Sequence, residues 1–363
     1  RDVVVEKLNG ANYQNLASED HVDIIFGQAS FKNNYELMVS VDNDQLEISA
    51  PQIFINTGSL PIWPDIPNIK ECDFVYDSTM IQELENQPQS LAIIGAGPIG
   101  LEFANIYQKL GSKVTLFEAN SEILRNEEPE IRQEVMKIFN DQGIKIIFDS
   151  NILGINCDES QVHLRFNVDQ VKSFDAVLIA TGRKPAISSL KLENTDIQLN
   201  ERNGIKTNEY LETNVPNIFA LGDVRGKEQF TYMSLDDSRI INGHHTLLNR
   251  QNIPYSIFID PVLSRVGLTL AQAQEQGYST KVNMIPVSKM PRSHVNQDQR
   301  GLFKAVINLA NNQILGASLL GEGSEEIINI IKLAMDHQIP AEALANQIFT
   351  HPTMSENLND LFQ

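Results

Sequence analysis

The sequence predicts an α/β protein built from more than one packed domain. The chain has 363 residues, of which 42% are hydrophobic, and this is enough for two or three hydrophobic cores. From Ser90 onward, predicted strands alternate with predicted helices, as they do in a parallel sheet covered by helices. A glycine-rich turn at residues 95–100 joins the first of these strands to the first helix.

The N-terminal part contains short runs of β-type residues separated by Asn/Asp turns. They lie at His21–Phe26, Glu36–Val41, Leu46–Ser49 and Ile53–Asn56. We expect them to form a small sheet that ends at Thr57 and Gly58. The prolines at positions 61, 64 and 67 then exclude a regular helix or a central strand. The segment up to residue 88 is therefore predicted to be a linker with one short helix near Met80–Glu85.

The central part is predicted to form the parallel sheet. Its strands are Leu91–Ile94, Lys113–Glu118, Ile144–Phe148 and Ala176–Ala180, and its helices are Pro98–Leu110 and Glu128–Gln142. A further strand precedes Gly222, and a helical stretch follows from Thr231 to Asn249. After Ile253 the pattern is that of an α+β unit. Its predicted elements are the strands Ser256–Ile259, Leu302–Ile307 and Ile314–Leu320 and the helices Ser324–Asp336 and Ala341–Gln347.

The composition argues against several partners. Lys and Arg number 28 against 47 Asp and Glu, and the resulting net charge of −19 repels nucleic acid and anionic lipid. No apolar run approaches the ~18 residues of a membrane span. The two cysteines, Cys72 and Cys157, match neither a redox motif nor a metal-ligand spacing, so each is expected to be a separate buried thiol in a reducing, cytoplasmic environment. No metal site is predicted, and the acidic pairs Glu127-Glu128 and Asp236-Asp237 are expected to be solvated or at helix N-termini.

Residues 95–100 read Gly-Ala-Gly-Pro-Ile-Gly, between a predicted strand and a predicted helix, and Glu118 ends the following strand. This is the context of the dinucleotide-binding fingerprint, which has an acidic residue about 20 positions further on. Gly95 permits the tight turn, Gly97 lets a pyrophosphate approach, and Gly100 allows close helix packing. Glu118 predicts NADH, because a carboxylate accepts ribose hydroxyls and repels the 2′-phosphate of NADPH. A plain tight turn and an exposed strand-end acid are the alternatives.

Three further turns are informative because of the order in which they follow one another along the chain. Thr57-Gly58, Thr181-Gly182 and Gly222-Asp223 could each be an ordinary strand-end turn. Together with the fingerprint between the first two, they follow the order found in two-dinucleotide-binding flavoproteins. The chain therefore resembles the pyridine nucleotide-disulfide oxidoreductase family over essentially its whole length.

The resemblance implies FAD and NADH as cofactors. Asp223 would then bind the FAD ribityl chain, and the helix starting near Thr231 would direct its N-terminal amides at the flavin. Thr57, Gly58, Gly182 and Gly222 would line the cofactor sites, and Glu102 would pair with a lysine beside the flavin.

The resemblance also implies a domain organisation of Rossmann-like FAD and NAD domains, the former incomplete, plus a C-terminal α+β dimerisation domain. The expected divisions are residues 1–60 as part of the FAD domain, 61–88 as a linker, 89–186 as the NAD(H) domain, 187–251 as the second FAD segment and 252–363 as the dimerisation domain. The expected partner is a second copy of the chain in a homodimer.

The C-terminal residues His351 and Glu356 resemble the family's histidine–glutamate base, in which the glutamate orients the ring. In relatives this segment serves the partner subunit's flavin, and the resemblance implies a cis bond between His351 and Pro352. A structural alternative exists, because Thr353-x-x-Glu356 is also a capping box that begins a helix.

The function implied is an FAD-dependent, NADH-oxidising enzyme that passes electrons to a disulfide or Cu(II)-type acceptor in oxidative-stress defence. The segments Gln229–Asp237, Pro261–Gly267 and Gln347–Phe362 are most similar to the reactive chlorine resistance flavoproteins of bacteria. The family's N-terminal glycine loop and Cys-x4-Cys disulfide are absent from this sequence, so we expect the enzyme to be longer and this chain alone to be inactive. A dihydrolipoamide dehydrogenase-like enzyme and a non-catalytic NAD-binding or dimerising remnant are the alternatives, and the physiological acceptor stays open.

Overall fold

The computed structural model describes residues 1–168 and 170–363. These residues form two compact units, one made of residues 1–60 and 184–247 and the other of residues 61–183 and 248–363. The mixture of helices with parallel and antiparallel sheets confirms the predicted α/β class.

The first unit contains a three-stranded antiparallel sheet and a parallel strand pair. The antiparallel strands are Gln28–Phe31, Glu36–Val41 and Asp44–Ser49. The parallel pair is Ile53–Ile55 with Ile218–Ala220. The helices are Asp2–Ala17 and Thr231–Ile241, with 3-10 turns at Leu192–Asn194 and Gly222–Arg225.

The second unit is centred on a parallel sheet of five strands. In spatial order these are Val75–Asp77, Ala176–Ile179, Ser90–Ile94, Lys113–Phe117 and Lys145–Ile147. The helices Pro98–Lys109 and Pro129–Asp141 connect successive strands, and a 3-10 turn spans Met80–Glu83. Alternate residues of the strand Ser90–Ile94 enter different cores, since Leu91 and Ile93 belong to one and Ala92 and Ile94 to the other. The central strands are therefore buried on both faces, as parallel sheets require.

An antiparallel layer covers one face of this sheet. Its strands are Ile152–Cys157, Val162–Phe166 and Gln170–Phe174. Ile155 and Phe166 share a core with Ile94 and Phe117, the last residues of two parallel strands. This layer therefore packs against the two strands that end at the glycine turn and at Glu118.

The C-terminal part of the second unit is an antiparallel sheet with helices. In spatial order its strands are Tyr255–Ile257, Leu263–Gly267, Ile314–Leu320, Leu302–Asn308 and Thr280–Pro286. Its helices are Leu270–Glu275, Pro291–Asn296, Ser324–Asp336, Ala341–Ala345 and Leu358–Leu361, with 3-10 turns at Val287–Lys289 and Ser355–Asn357. Short strands at Ser59–Pro61 and Arg183–Pro185 and a 3-10 turn at Leu247–Asn249 lie where the chain passes between the units.

The structure corrects several element predictions. His21–Phe26 is not a strand, and the helix Asp2–Ala17 was not predicted because every residue in it is exposed and it has no buried face. The predicted helix Thr231–Asn249 ends at Ile241, before Gly243 with its φ of +77°. The antiparallel layer and the strands Leu263–Gly267 and Thr280–Pro286 were also missed.

The prediction that Cys72 and Cys157 are separate thiols is wrong, because a disulfide joins them. The strand Ile152–Cys157 lies along the segment that precedes Val75: Ile155 N–H donates to the Pro67 carbonyl at 3.1 Å. This brings the two cysteine Cα atoms to 5.7 Å, within the range that a disulfide spans. Sequence separation hid the pairing.

Candidate functional site

The three fingerprint glycines have different structural roles. Gly95 has a φ of +103°, and a Cβ built on it would lie 2.5 Å from the Ala180 carbonyl oxygen. A Cβ on Gly100 would lie 2.0 Å from the Gly95 carbonyl oxygen. Gly97 differs, because a Cβ there would meet nothing within 4 Å among the residues that the structure describes. The protein itself requires Gly95 and Gly100, whereas the space beside Gly97 is open to a ligand.

The turn leads directly into the helix Pro98–Lys109, for which Gly97 is the N-cap and Pro98 the first residue. Proline is pre-organised for this position and lacks an N–H that would need a partner. The positive end of the helix dipole therefore lies at the open space beside Gly97. A phosphate group is the ligand that such a helix end favours.

Glu118 lies against the same turn. It is 8% exposed, and its Oε2 accepts a hydrogen bond from the Ala96 N–H at 3.0 Å. Its Oε1 accepts from the Asn120 backbone N–H at 2.9 Å and from the Asn120 side-chain amide. Glu118 is therefore a buried carboxylate tied to the fingerprint, and the alternative of an exposed strand-end acid is wrong.

Glu102 lies on the fingerprint helix and faces the C-terminal part of the same unit. Its Oε1 accepts a hydrogen bond from the Phe258 backbone N–H at 2.8 Å. Burial raises the pKa of this carboxyl, and the bond from Phe258 opposes that rise only in part.

His351 and Glu356 form a hydrogen-bonded pair near the C-terminus. His351 Nδ1 lies 2.8 Å from Glu356 Oε2, and the His351–Pro352 bond is cis, as predicted. Glu356 Oε1 accepts from the Thr353 N–H at 3.2 Å, and Thr353 Oγ1 accepts from the Glu356 N–H at 3.2 Å. One carboxylate therefore serves both the capping box and the histidine, so the two interpretations of this segment are compatible.

The remaining predicted residues form turns at strand ends. Gly58 and Gly222 in the first unit have φ values of +74° and +66°, and Gly182 in the second has +115°. Thr57 Oγ1 donates to the Ala186 carbonyl at 2.9 Å. Asp223 Oδ2 accepts from Ser59 Oγ at 2.7 Å. These glycines occupy conformations that other residues rarely adopt.

Thr231 is the first residue of an 11-residue helix in the first unit. Asp237 of this helix is fully buried, and its Oδ2 accepts from the Gly222 N–H at 2.6 Å. Arg225, also buried, forms an ion pair with Asp237 at 3.3 Å. The expectation that Asp237 is solvated is therefore wrong, because it anchors the turn that carries Asp223.

The other acidic pair, Glu127-Glu128, lies at a helix N-terminus, which was one of the two expectations, because Glu128 is the N-cap of the helix Pro129–Asp141; both residues are buried and not solvated. Lys304 is 1% exposed, and its Nζ donates to Glu128 Oε2 at 2.8 Å and to Glu130 Oε2 at 2.7 Å. Glu127 lies 3.8 Å from Arg265 and accepts a hydrogen bond from the Tyr255 hydroxyl. Burial raises the pKa of both Glu127 and Tyr255. Lys304, Arg265 and Tyr255 of the C-terminal sheet are the partners of these carboxylates. No local sequence pattern indicated these distant pairings.

The structure thus brings together Gly95, Gly97, Gly100 and Glu118 at one turn, with Glu102 on the adjoining helix. His351 and Glu356 form a separate pair in the same unit. Thr57, Gly58, Gly222, Asp223 and Thr231 belong to the first unit. A glycine turn with an open helix end and a buried carboxylate defines a dinucleotide-binding α/β protein.

Comparison with protein families identifies the chain more narrowly. Residues 3–240 match the profile of the pyridine nucleotide-disulphide oxidoreductases, and residues 253–362 match that family's dimerisation domain. The chain belongs to the pyridine nucleotide-disulphide oxidoreductase family. It is therefore an oxidoreductase of a flavoprotein family that uses FAD with NAD(P)H, and the dimerisation domain supports the predicted homodimer.

Individual relatives cover nearly the whole chain. The probable pyridine nucleotide-disulfide oxidoreductase RclA of Escherichia coli K12 is 45% identical, with 100% of this chain and 83% of the relative aligned. The mercuric reductase of Staphylococcus aureus is 31% identical, covering 99% of this chain and 66% of that protein. The dihydrolipoyl dehydrogenase of Chlamydia pneumoniae is 33% identical, with 94% of this chain and 74% of that protein aligned.

Solved structures of similar proteins support the same assignment. The HOCl-induced flavoprotein disulfide reductase RclA from Escherichia coli superposes with a TM-score of 0.96 at 44% identity, over 99% of this chain and 83% of that one. The Cu(II) complex of that protein gives a TM-score of 0.97 with the same coverage. The predicted family is confirmed.

No helix in the described part of the chain has the length and apolar character needed to cross a membrane.

Proposed function

We propose that this chain works in an NADH-dependent flavoenzyme that reduces a disulfide or a Cu(II)-type acceptor in oxidative-stress defence. FAD, when bound, supplies the two-electron transfer between NADH and the acceptor. The observation that carries the preference for NADH is the buried Glu118 carboxylate, which is held at the same turn as the open space beside Gly97, the N-cap of the fingerprint helix. The residues present fit a dinucleotide, since the space beside Gly97 can receive a pyrophosphate.

Glu118 supports NADH over NADPH through its charge. A carboxylate accepts hydrogen bonds from ribose hydroxyls, whereas the 2′-phosphate of NADPH would bring a second negative group to a site of low dielectric. Because Glu118 is 8% exposed, little solvent is present to screen that repulsion.

We further propose that Asp223 and the N-terminus of the helix Thr231–Ile241 contact FAD, with Thr57, Gly58 and Gly222 forming the adjoining turns. The buried Asp237 supports this role for Asp223, because it holds the Gly222 N–H and thereby the turn. Within the second unit, Gly182 is proposed to bind a cofactor, and Glu102 is proposed to pair with a lysine that lies beside the flavin. The proposed domains are residues 1–60 with 187–251 for FAD, 61–88 as linker, 89–186 for NADH and 252–363 for dimerisation.

We propose His351 as the acid–base group and Glu356 as its orienting partner. When Glu356 Oε2 accepts the Nδ1–H of a neutral ring, Nε2 is the nitrogen that can exchange a proton. The side chain of His351 is 68% exposed, so that nitrogen is open to an acceptor or a partner subunit.

Two relatives support the class of acceptor. The structures at 44% identity are of a protein described as HOCl-induced, and one of them contains Cu(II). The dihydrolipoyl dehydrogenase at 33% identity supports a second candidate, a dithiol oxidase of the lipoamide type. A cytoplasmic location is proposed for either, because NADH is available there; the Cys72–Cys157 disulfide removes the argument from reduced thiols, so the proposal rests on NADH alone.

The nucleotide assignment is tested by Glu118→Ala. Calorimetric titration should show NADH binding about 10- to 100-fold weaker, the cost of leaving a ribose hydroxyl unpaired, while NADPH binding changes much less. Glu122→Ala is the matched control, since Glu122 is an exposed carboxylate of the same segment that pairs with Arg132. Unchanged NADH affinity in the Glu118 variant would contradict the assignment.

A further inference from the structure

Asn120 holds the Glu118 carboxylate by two contacts on one oxygen. Its backbone N–H and its side-chain amide both donate to Glu118 Oε1, while the Ala96 N–H donates to Oε2. The two backbone donors are fixed by the fold, and the side-chain amide is the one that a substitution can remove.

The segment carrying these two residues is itself fixed. The Glu118 N–H donates to the Ile147 carbonyl at 2.9 Å, and the Glu118 carbonyl accepts from the Ser150 N–H at 2.9 Å. The Asn120 carbonyl accepts from the Asp149 N–H at 3.2 Å. Asn120 therefore presents its amide from a backbone that is paired with the end of the neighbouring strand.

The hydrogen-bond capacity of the carboxylate limits what it can accept next. An ionised carboxylate has about four acceptor positions, and three N–H groups already donate to Glu118. The remaining position suits one ribose hydroxyl. A glutamate side chain has several rotatable bonds, so without the amide it would be freer to turn away from a bound nucleotide.

We propose that Asn120 is a positioning residue for cofactor selectivity: it locks Glu118 so that the carboxylate accepts a ribose hydroxyl and cannot move aside for a 2′-phosphate. This inference rests on the proposed role of Glu118 in NADH binding. It assigns to Asn120 a part of the discrimination between NADH and NADPH.

The test compares Asn120→Ala and Asn120→Asp with the wild-type full chain by calorimetric titration of NADH and NADPH. In Asn120→Ala, NADH binding should weaken about 10-fold and NADPH binding should stay within about twofold, so the selectivity ratio narrows. Asn120→Asp keeps the shape but removes the donor and adds a like charge, so NADH binding should weaken at least as much. Ser121→Ala, at an exposed neighbour, is the control and should bind both nucleotides as the wild type does.

An unchanged selectivity ratio in Asn120→Ala would overturn the inference, as would an Asp variant that behaves like the wild type, because filling space would then be the only role of Asn120. If Asn120→Ala does not fold, the NADH affinity of Asn120→Asp is the test: weaker binding than in the wild type supports the inference, and wild-type binding overturns it. Glu118→Ala separates the two levels of the argument. Weak NADH binding in Glu118→Ala with normal selectivity in the Asn120 variants refutes the role of Asn120 alone, whereas normal NADH binding in Glu118→Ala refutes both.

Discussion

Replacing Cys157 by serine should lower the free energy of unfolding of the second unit, because it opens the covalent link to Cys72. The disulfide closes a stretch with a sequence separation of 85 residues. The chain-entropy relation for a loop of that length gives about 4.5 kcal/mol at 25 °C. Cys157 is exposed, so its replacement creates no cavity, whereas Cys72 is 6% exposed and belongs to a hydrophobic core.

The assay uses the single tryptophan of the sequence, Trp63. Trp63 packs against the core that contains Cys72, so its fluorescence reports the part of the unit that the disulfide ties together. Urea unfolding should be followed for the oxidised wild type, the wild type in reductant and Cys157→Ser. A loss of about 4.5 kcal/mol divided by a urea slope of about 1 to 3 kcal/mol per M predicts that the midpoint falls by about 1.5 to 4.5 M in the last two samples.

The reduced wild type is the matched control for the variant, because both lack the bond and differ by a single atom. Coincident midpoints for all three samples would refute the reasoning. A loss seen in Cys157→Ser but not in the reduced wild type would assign the effect to the serine and not to the disulfide.

Two further predictions concern the fingerprint turn and its helix. Gly97→Val should abolish NADH binding without lowering the melting temperature. Gly100→Ala should lower the melting temperature, because its Cβ would lie 2.0 Å from the Gly95 carbonyl oxygen. Equal melting temperatures for the two variants would contradict this prediction. Burial raises the pKa of Glu102, so the folded protein favours its protonated form. The protein is therefore most stable, as far as Glu102 is concerned, below the unfolded pKa of about 4.3, and it loses stability as the pH rises through the folded pKa and the buried carboxyl ionises. Glu102→Gln keeps an acceptor for the Phe258 N–H and should therefore gain melting temperature over the wild type as the pH is raised from 4 to 8. A difference independent of pH would refute the titration of Glu102.

The parts of the fold that sequence predicted best are those with a local signature. The turn at Gly95–Gly100 and the helix Ser324–Asp336 follow from residues that are neighbours in the chain. The helix Asp2–Ala17 has no local signature, because three consecutive valines and a glycine oppose helix formation and no face of it is buried.

The candidate site also contains some features with a local sequence signature and others without one. The placement of Glu118 beside the glycine turn was predictable, since both lie at the carboxyl ends of adjacent parallel strands. Its anchoring by Asn120 was not, because an asparagine after a strand is equally typical of a plain turn. The pairing of Lys304 with Glu128 spans 176 positions, and a single sequence gives no indication of a contact over that distance.

The buried ion pairs of Lys304 and Arg265 determine how this protein can be divided or recombined. A graft that exchanges the nucleotide-binding segment for that of another protein, but leaves the C-terminal sheet in place, would keep Lys304 and lose its acceptors Glu128 and Glu130. An ammonium group left without its carboxylates in the interior costs several kcal/mol. A chimera that keeps the C-terminal sheet should therefore also keep Glu128 and Glu130, so Lys304 and its two acceptors are best transferred together.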